Sequence, residues 1–209
     1  MVKIADQSYF PLRVGNYQIY EVNVDTIRQI VCGNGGDNKS TYQLKTIVSD
    51  SSKNTSGSYN YIIRRYTRLD TTQSWIGLDT QVAQVNSNQV IINESNILYV
   101  KFIFPLVNNE VWNSNLYNDQ TSDYDTLKKV NQSYTLPSGK KFSSTFTTQT
   151  NTISLVSRDS RVEVYAASVG LIYKEFIQLN YFTDASCFGL NEVKTGVIYY
   201  QSLLSYGHQ

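Results

Sequence analysis

This sequence has few charged residues and no excess of either sign. Only 17% of its 209 residues are charged, and 18 basic side chains balance 17 acidic ones to give a net charge of +1. Such a chain has no broad positive field that would attract phosphates or an acidic membrane surface. We therefore expect no nucleic-acid partner.

The residues that usually carry catalysis are also scarce. The one histidine, His208, lies next to the end of the chain, where we expect frayed backbone that cannot position a general base. The sequence contains no nucleophile elbow, HExxH, Walker or dinucleotide-binding motif. The aspartates of "YNDQTSDYD" (117–125) do not follow the spacing of a calcium-binding EF-hand loop. The sequence therefore predicts a protein that is not an enzyme and that has no cofactor and no metal site.

Long apolar runs are absent. The longest, "ILYVKFIFPLV" (97–107), is interrupted by Lys101 and is far shorter than the roughly 20 residues that a spanning helix needs. The opening segment has no basic stretch followed by an apolar run, so we expect no signal peptide in the chain as printed.

Cysteine occurs twice, at Cys32 and Cys187, without the short spacings of a metal site. Two interpretations stay open. The pair forms a disulfide, which would contribute on the order of 4 kcal/mol in the chain-entropy picture, or the residues are two separate buried thiols.

What the chain does contain is alternation with a period of two residues. In "NYQIYEVNVD" (16–25), Tyr20, Val22 and Val24 alternate with polar residues, which predicts a half-buried strand. The segment "SRVEVYA" (160–166) follows the same rule, with valines toward the core and Glu163 on the opposite side. Gly, Asn, Asp and Ser clusters separate such segments, as in turns.

This pattern predicts one all-β domain over residues 1–209. We expect a single antiparallel, strongly curved sheet, like a half-barrel or a sandwich, with less than about a tenth of the residues in helices. The long segment Leu171–Tyr181 lacks edge-protecting devices, which predicts an interior strand that pairs with Val197–Leu204.

Aromatic residues supply the candidate binding site. Trp112 begins the segment "WNSNLYN", in which asparagine amides adjoin a tyrosine, and such side chains can stack on a sugar ring or hold an extended peptide. The alternative is a core tryptophan that precedes an asparagine-rich turn. The candidate ligand-binding residues are Trp75, Tyr99, Trp112, Asn113, Asn115 and Tyr117.

Five segments in order along the chain resemble an uncharacterised family of Bacteroidetes cell-envelope lipoproteins. They are "YFPLRVGNYQIYEV", "YVKFIFPL", "WNSNLYN", "VEVYAASVGLIYKE" and "TGVIYYQSLLSYG". Tyr17 stands where such openings often have tryptophan, and the lipobox cysteine is absent. The resemblance implies an exported protein of the periplasm, outer membrane or cell surface, whose membrane contact is a lipid anchor outside this chain.

Two functions follow as expectations. The first is a non-catalytic binding module that holds an apolar or glycan ligand on a concave β surface. The second is a structural or assembly component that contacts another envelope protein. A ligand-sized cavity would favour the first, and a filled interior with an exposed aromatic patch would favour the second.

Overall fold

The structure, a computed structural model, describes residues 4–33, 36–53 and 58–209. One short helix, α1 (Ile4–Gln7), precedes twelve strands in this part of the chain. The strands are β1 (Asn16–Arg28), β2 (Asp37–Lys53), β3 (Tyr59–Arg68), β4 (Ile76–Val85), β5 (Gln89–Glu94), β6 (Ile97–Ile103), β7 (Val111–Asn113), β8 (Tyr124–Thr135), β9 (Lys141–Ile153), β10 (Ser157–Ala166), β11 (Gly170–Tyr181) and β12 (Val193–His208). None of the described residues forms a helix with the length and hydrophobicity of a membrane span.

All twelve strands belong to one antiparallel sheet in which, apart from β1 and β12, strands that pair are consecutive in the sequence. The order is β6-β5-β4-β3-β2-β1-β12-β11-β10-β9-β8-β7, so the first and last strands pair in the middle. The two outer strands, β6 and β7, approach each other, and the Val100 amide donates to the Ser114 carbonyl at 2.9 Å. The sheet is therefore barrel-shaped and nearly closed, which confirms the all-β prediction.

Bulges help to explain the curvature of the sheet. Register shifts occur within several pairs, for example between Ile19 and Tyr20 in β1 and between Val164 and Tyr165 in β10. An extra residue in one strand bends that strand and increases its twist. Repeated bulges thus allow twelve strands to curl toward closure.

The prediction of an interior strand is confirmed. β11 lies between β10 and β12, and Ile177 pairs with Ser160 on one side and Ile198 on the other. Residues 182–192 form the connection from β11 to β12.

The end of the barrel at which β1 begins, here called the N-terminal end, is covered by the segment before β1. Tyr9 is buried, and its ring packs edge-on against Phe146 with centroids 5.1 Å apart. Phe10 packs against Phe102 at 6.0 Å. These rings join a buried aromatic cluster in which Phe146 stacks on Tyr165 at 5.1 Å.

The last strand corrects one expectation. His208 belongs to β12 and pairs with Asn16 of β1, so the backbone there is held in the sheet rather than frayed. The reason is that the two ends of the chain form neighbouring central strands.

Candidate functional site

The barrel interior contains a row of polar side chains that the strand register places on one face. Glu163 of β10 pairs with Lys174 of β11, which pairs with Gln201 of β12. Gln201 in turn pairs with Val22 of β1. Because directly paired residues point to the same side of a sheet, Glu163, Lys174 and Gln201 share the interior face with the buried Val22.

Glu163 is the centre of this row. Its Oε1 atom lies 3.0 Å from Nζ of Lys101 on β6 and 2.9 Å from Nζ of Lys174. Its Oε2 atom accepts a hydrogen bond from the Tyr165 hydroxyl at 2.5 Å. We call these four residues, Lys101, Glu163, Tyr165 and Lys174, the Glu163 cluster.

The cluster is ionised despite its burial. Burial alone would favour the neutral form of Glu163, but Lys101 and Lys174 outweigh it and hold the pKa of that carboxyl far below its usual range. Burial likewise opposes the charge on Lys101, yet the Glu163 and Glu94 carboxylates raise the pKa of that ammonium above its ordinary value. Two ammonium groups therefore share one buried carboxylate, and Tyr165 supplies a further hydrogen bond.

Two cavities adjoin the Glu163 cluster. Their volumes are about 120 Å³ and about 230 Å³, and both are lined by Glu94, Lys101, Glu163 and Lys174. A single buried water needs only on the order of 10–15 Å³ by such a measure, so the interior has room for several waters or a small organic molecule. The four charged side chains lie where the two cavities meet.

The smaller cavity is amphipathic. Phe10 and Leu12 of the N-terminal segment contribute apolar walls, and Gln81 and Gln201 contribute amides. The larger cavity is lined by Asp125, Thr148 and Arg161 as well as by Lys101, Glu163 and Lys174 of the Glu163 cluster.

Several polar groups of the walls have unused hydrogen-bonding capacity. The Gln81 side-chain amide makes no hydrogen bond with the described residues, and the Glu94 carboxylate, which interacts electrostatically with Lys101 and Arg65, accepts none from them. Each lysine ammonium of the cluster has three donors and uses one of them on Glu163. The walls therefore present donors and acceptors side by side.

Asp125 differs electrostatically from Glu163, although both line the larger cavity. Burial raises the pKa of the Asp125 carboxyl, which accepts a hydrogen bond from the Thr150 hydroxyl. The nearby Arg161 guanidinium is paired with Asp123 and Asp159. The charged groups in this part of the wall thus already have partners within the protein.

The structure corrects the sequence interpretation of β10. Val164 is buried as expected, but Glu163 is only 9% exposed and lies in the interior. Both faces of this central strand are covered, and the lysines on β6 and β11 make a buried carboxylate tolerable. The signal in the sequence was Lys101, a charge inside the apolar run of residues 97–107.

The structure does not bring the six predicted site residues together in one cavity. Trp112 is buried, and its indole Nε1 donates to the Val100 carbonyl at 2.9 Å, which links β7 to β6. Trp75 lies in the β3–β4 connection, with the Arg68 guanidinium 4.2 Å from its ring centroid. Tyr99 lines the larger cavity and is the one of the six that does so.

The asparagines of "WNSNLYN" organise a loop. Asn113 Oδ1 accepts from the backbone amides of Asn115 and Asp123, and Asn115 Nδ2 donates to the Thr121 carbonyl. Tyr117 is half exposed, and its hydroxyl accepts from Gln89 Nε2 at 2.7 Å. Their role in ligand binding stays a prediction.

Cys32 and Cys187 form a disulfide, with their Cα atoms 6.4 Å apart. The bridge joins the β1–β2 connection to the β11–β12 connection at the end of the barrel opposite the N-terminal segment. We call this the bridged end. Of the two interpretations left open by the sequence, the structure has the disulfide.

No protein-family model and no curated protein matches this chain. Two solved structures are similar to it, each at 12% identity over 95% of this chain and 98% of the other. One is a proposed exported protein with a YmcC-like fold from Bacteroides fragilis, with a TM-score of 0.48. The other is a proposed lipoprotein from Parabacteroides distasonis, with a TM-score of 0.46.

Proposed function

We propose that this chain is a non-catalytic, exported binding protein whose barrel interior holds a small hydroxyl-rich ligand such as a glycan unit. The observation that carries the proposal is the Glu163 cluster, which lies between two cavities with unused donors and acceptors in their walls.

The chemistry of the walls favours hydroxyl groups. A sugar hydroxyl both donates and accepts hydrogen bonds, so one ring can satisfy the Glu94 carboxylate and the free donors of Lys101 and Lys174 together. An apolar ligand would desolvate these groups without offering them hydrogen bonds, and a buried group that lacks a hydrogen bond costs about 1–3 kcal/mol when neutral and more when charged. Phe10 and Leu12 offer an apolar surface for the carbon face of a ring.

The state of the cluster supports binding rather than reaction. Both oxygens of Glu163 accept hydrogen bonds, and its lowered pKa makes the carboxylate a weak base. Lys101 is held as an ammonium and lacks the free amine that a nucleophile needs.

Export is supported by the disulfide. Bridges of this kind form and persist in oxidising compartments outside the cytosol. The resemblance to envelope lipoproteins points to the same location.

Amide NMR spectra recorded during titration with neutral monosaccharides and disaccharides test the proposal. We expect saturable shifts for residues that line the cavities, with the largest near Lys101, Glu163 and Lys174. In the test variant Lys174→Met, Glu163 keeps Lys101 and Tyr165 as partners, so the protein should still fold. Because the variant lacks the ammonium donors of Lys174, it should bind the sugar at least about tenfold more weakly. Shifts confined to the outer surface, or equal affinity for the variant, would contradict interior binding.

A further inference from the structure

Gln81 is a buried amide in the wall of the smaller cavity. It lies on β4, and the strand register pairs it with Ile63 of β3. The register between β4 and β5 pairs Val82 with Asn93. Continued by one residue, that register places Gln81 opposite Glu94, which lines the same cavity. Because side chains opposite each other in a sheet have Cβ atoms about 4.5–5.5 Å apart, the amide and the carboxylate are close neighbours.

Both groups have hydrogen-bonding capacity that the protein does not use. Gln81 is only 7% exposed, yet its amide makes no hydrogen bond with the described residues. A buried amide without a partner is costly, and native proteins rarely leave one unmet. The Glu94 carboxylate accepts no hydrogen bond from the described residues, although Arg65 and Lys101 counter its charge. The pair therefore presents a free donor beside free acceptors.

An apolar cluster adjoins this pair. Ile63 is the strand partner of Gln81, and Ile92 lies two residues before Glu94 on the same face of β5. Both isoleucines belong to a buried cluster whose members and packing partners are Val48, Ile63, Ala83, Ile92, Phe10 and Leu12. We call Gln81, Glu94 and this cluster the Gln81 corner. It combines an amide, a carboxylate and a dry apolar surface.

We propose that the Gln81 corner holds the acetamido group of an N-acetylated amino sugar. This inference rests on the proposed function and names the class of its ligand. In a trans amide the N–H and the C=O point in opposite directions, so they need two separate partners. The acetamido N–H donates to the Glu94 carboxylate, and its carbonyl accepts from Gln81 Nε2. The methyl group packs on Ile63 and Ile92, and the sugar hydroxyls face the free donors of Lys101 and Lys174.

Two related sugars fit the corner less well. A neutral sugar without the acetamido group has a hydroxyl at this position and nothing apolar to cover the isoleucines. A free amino sugar has an ammonium there, which would lie near the cations of Arg65 and Lys101 and against an apolar wall. The chemistry of the corner therefore favours the neutral acetamido group.

Isothermal titration calorimetry with N-acetylglucosamine, glucosamine and glucose tests this inference. N-acetylglucosamine should bind at least about tenfold more tightly than either of the other sugars. The Gln81→Leu variant lacks the amide donor and should reduce this preference to less than about threefold. The Lys174→Met variant should weaken the binding of N-acetylglucosamine and of glucose and keep the preference. Because Gln81→Leu removes an unpartnered buried amide, thermal melts should show it to be at least as stable as the parent protein.

NMR of the parent protein locates the acetyl methyl group without any variant. We expect nuclear Overhauser effects from that methyl group to Ile63 and Ile92, and none to Ile153, which is exposed. N-acetylalanine methylamide has the same acetamido group without a sugar ring, and it should bind at least about tenfold more weakly than N-acetylglucosamine.

The outcomes separate this inference from the proposed function. Equal affinities for the three sugars, a preference that Gln81→Leu leaves unchanged, or equally tight binding of N-acetylalanine methylamide would overturn this inference alone. Contacts of the acetyl group with Ile153 only, or no binding of any sugar, would overturn both.

Discussion

At the scale of single residues, Glu163 is the buried charge on which the interior depends. A buried carboxylate is costly unless it is paired and fully hydrogen-bonded, and here two lysines and one tyrosine meet that need. Removal of the carboxylate would leave two ammonium groups close together without their common partner.

Glu163→Gln should therefore lower the free energy of unfolding by about 3–5 kcal/mol at neutral pH. Urea denaturation measures this, with Glu21→Gln as the control because Glu21 is an exposed glutamate of β1. The control should change stability by less than about 0.5 kcal/mol. Similar stabilities for the two variants would show that the cluster does not stabilise the fold.

The two cavity carboxylates predict opposite responses to pH. The pKa of Glu163 is lower in the folded protein than its ordinary 4.5, so its contribution is full above that pH and is lost as the pH falls toward the folded value. The pKa of Asp125 is raised above 3.8, so the ionised side chain weakens the folded state at neutral pH but not in acid.

The Asp125→Asn variant should thus be more stable than the parent protein at pH 7 and lose that advantage near pH 3. Denaturation curves at both pH values check this, and an advantage that is larger in acid would contradict it.

The sequence predicts some of these residues and not others. Alternation locates Tyr20 and Val22 in the interior, because alternate side chains of a strand lie on the same face and the apolar face packs against the core. It fails at Glu163, because the pairing that makes this charge acceptable comes from Lys101, which is 62 residues away. Trp112 was a candidate site residue and has a clear structural role, since its indole bonds to a buried carbonyl.

At the scale of elements, β11 shows how a central strand depends on both neighbours. Ile177 is 6% exposed, whereas Gln178, the next residue, is exposed. Ile177→Asp should lower stability by about 3 kcal/mol or more because it places an unpaired charge in a buried position, and Gln178→Asp should cost much less. Thermal melts distinguish the two changes, and equal tolerance of both would show that the strand is exposed.

The contact between β6 and β7 is the weakest part of the barrel wall. β7 has three residues, and the Trp112 side chain supplies one of the bonds that join it to β6. Trp112→Phe should cost about 1–3 kcal/mol because the Val100 carbonyl loses its buried donor. It should also speed hydrogen exchange of the Val100 amide. Trp75→Phe is the control and should leave that exchange rate unchanged.

The individual strands could be predicted from the sequence, but the closure of the barrel could not. Period-two alternation is local, and it marks β1, β2 and β10 without any knowledge of partners. Closure depends on pairing of β1 with β12 and on the approach of β6 to β7. No local sequence pattern predicts either of these contacts between distant strands. A half-barrel and a nearly closed barrel therefore have the same sequence signal.

At the scale of the whole molecule, the disulfide ties together connections that are 155 residues apart. Closing a loop of that length restricts the unfolded chain, and the variant with Cys32→Ser and Cys187→Ser should lose on the order of 4 kcal/mol. Urea denaturation with and without a reductant measures this. The reductant should lower the stability of the parent protein toward urea and leave that of the double variant unchanged. Equal stability of the two proteins without reductant would contradict the expectation.

The proposed function depends on the binding of a hydroxyl-rich ligand in the barrel interior at the Glu163 cluster. Native mass spectrometry of the protein purified from its own host tests it most directly, with the Lys174→Met variant purified in parallel. We expect one releasable compound per chain, rich in hydroxyl groups, that is depleted in the variant. A lipid or another apolar compound in its place, no bound compound, or equal occupancy in the variant would contradict it.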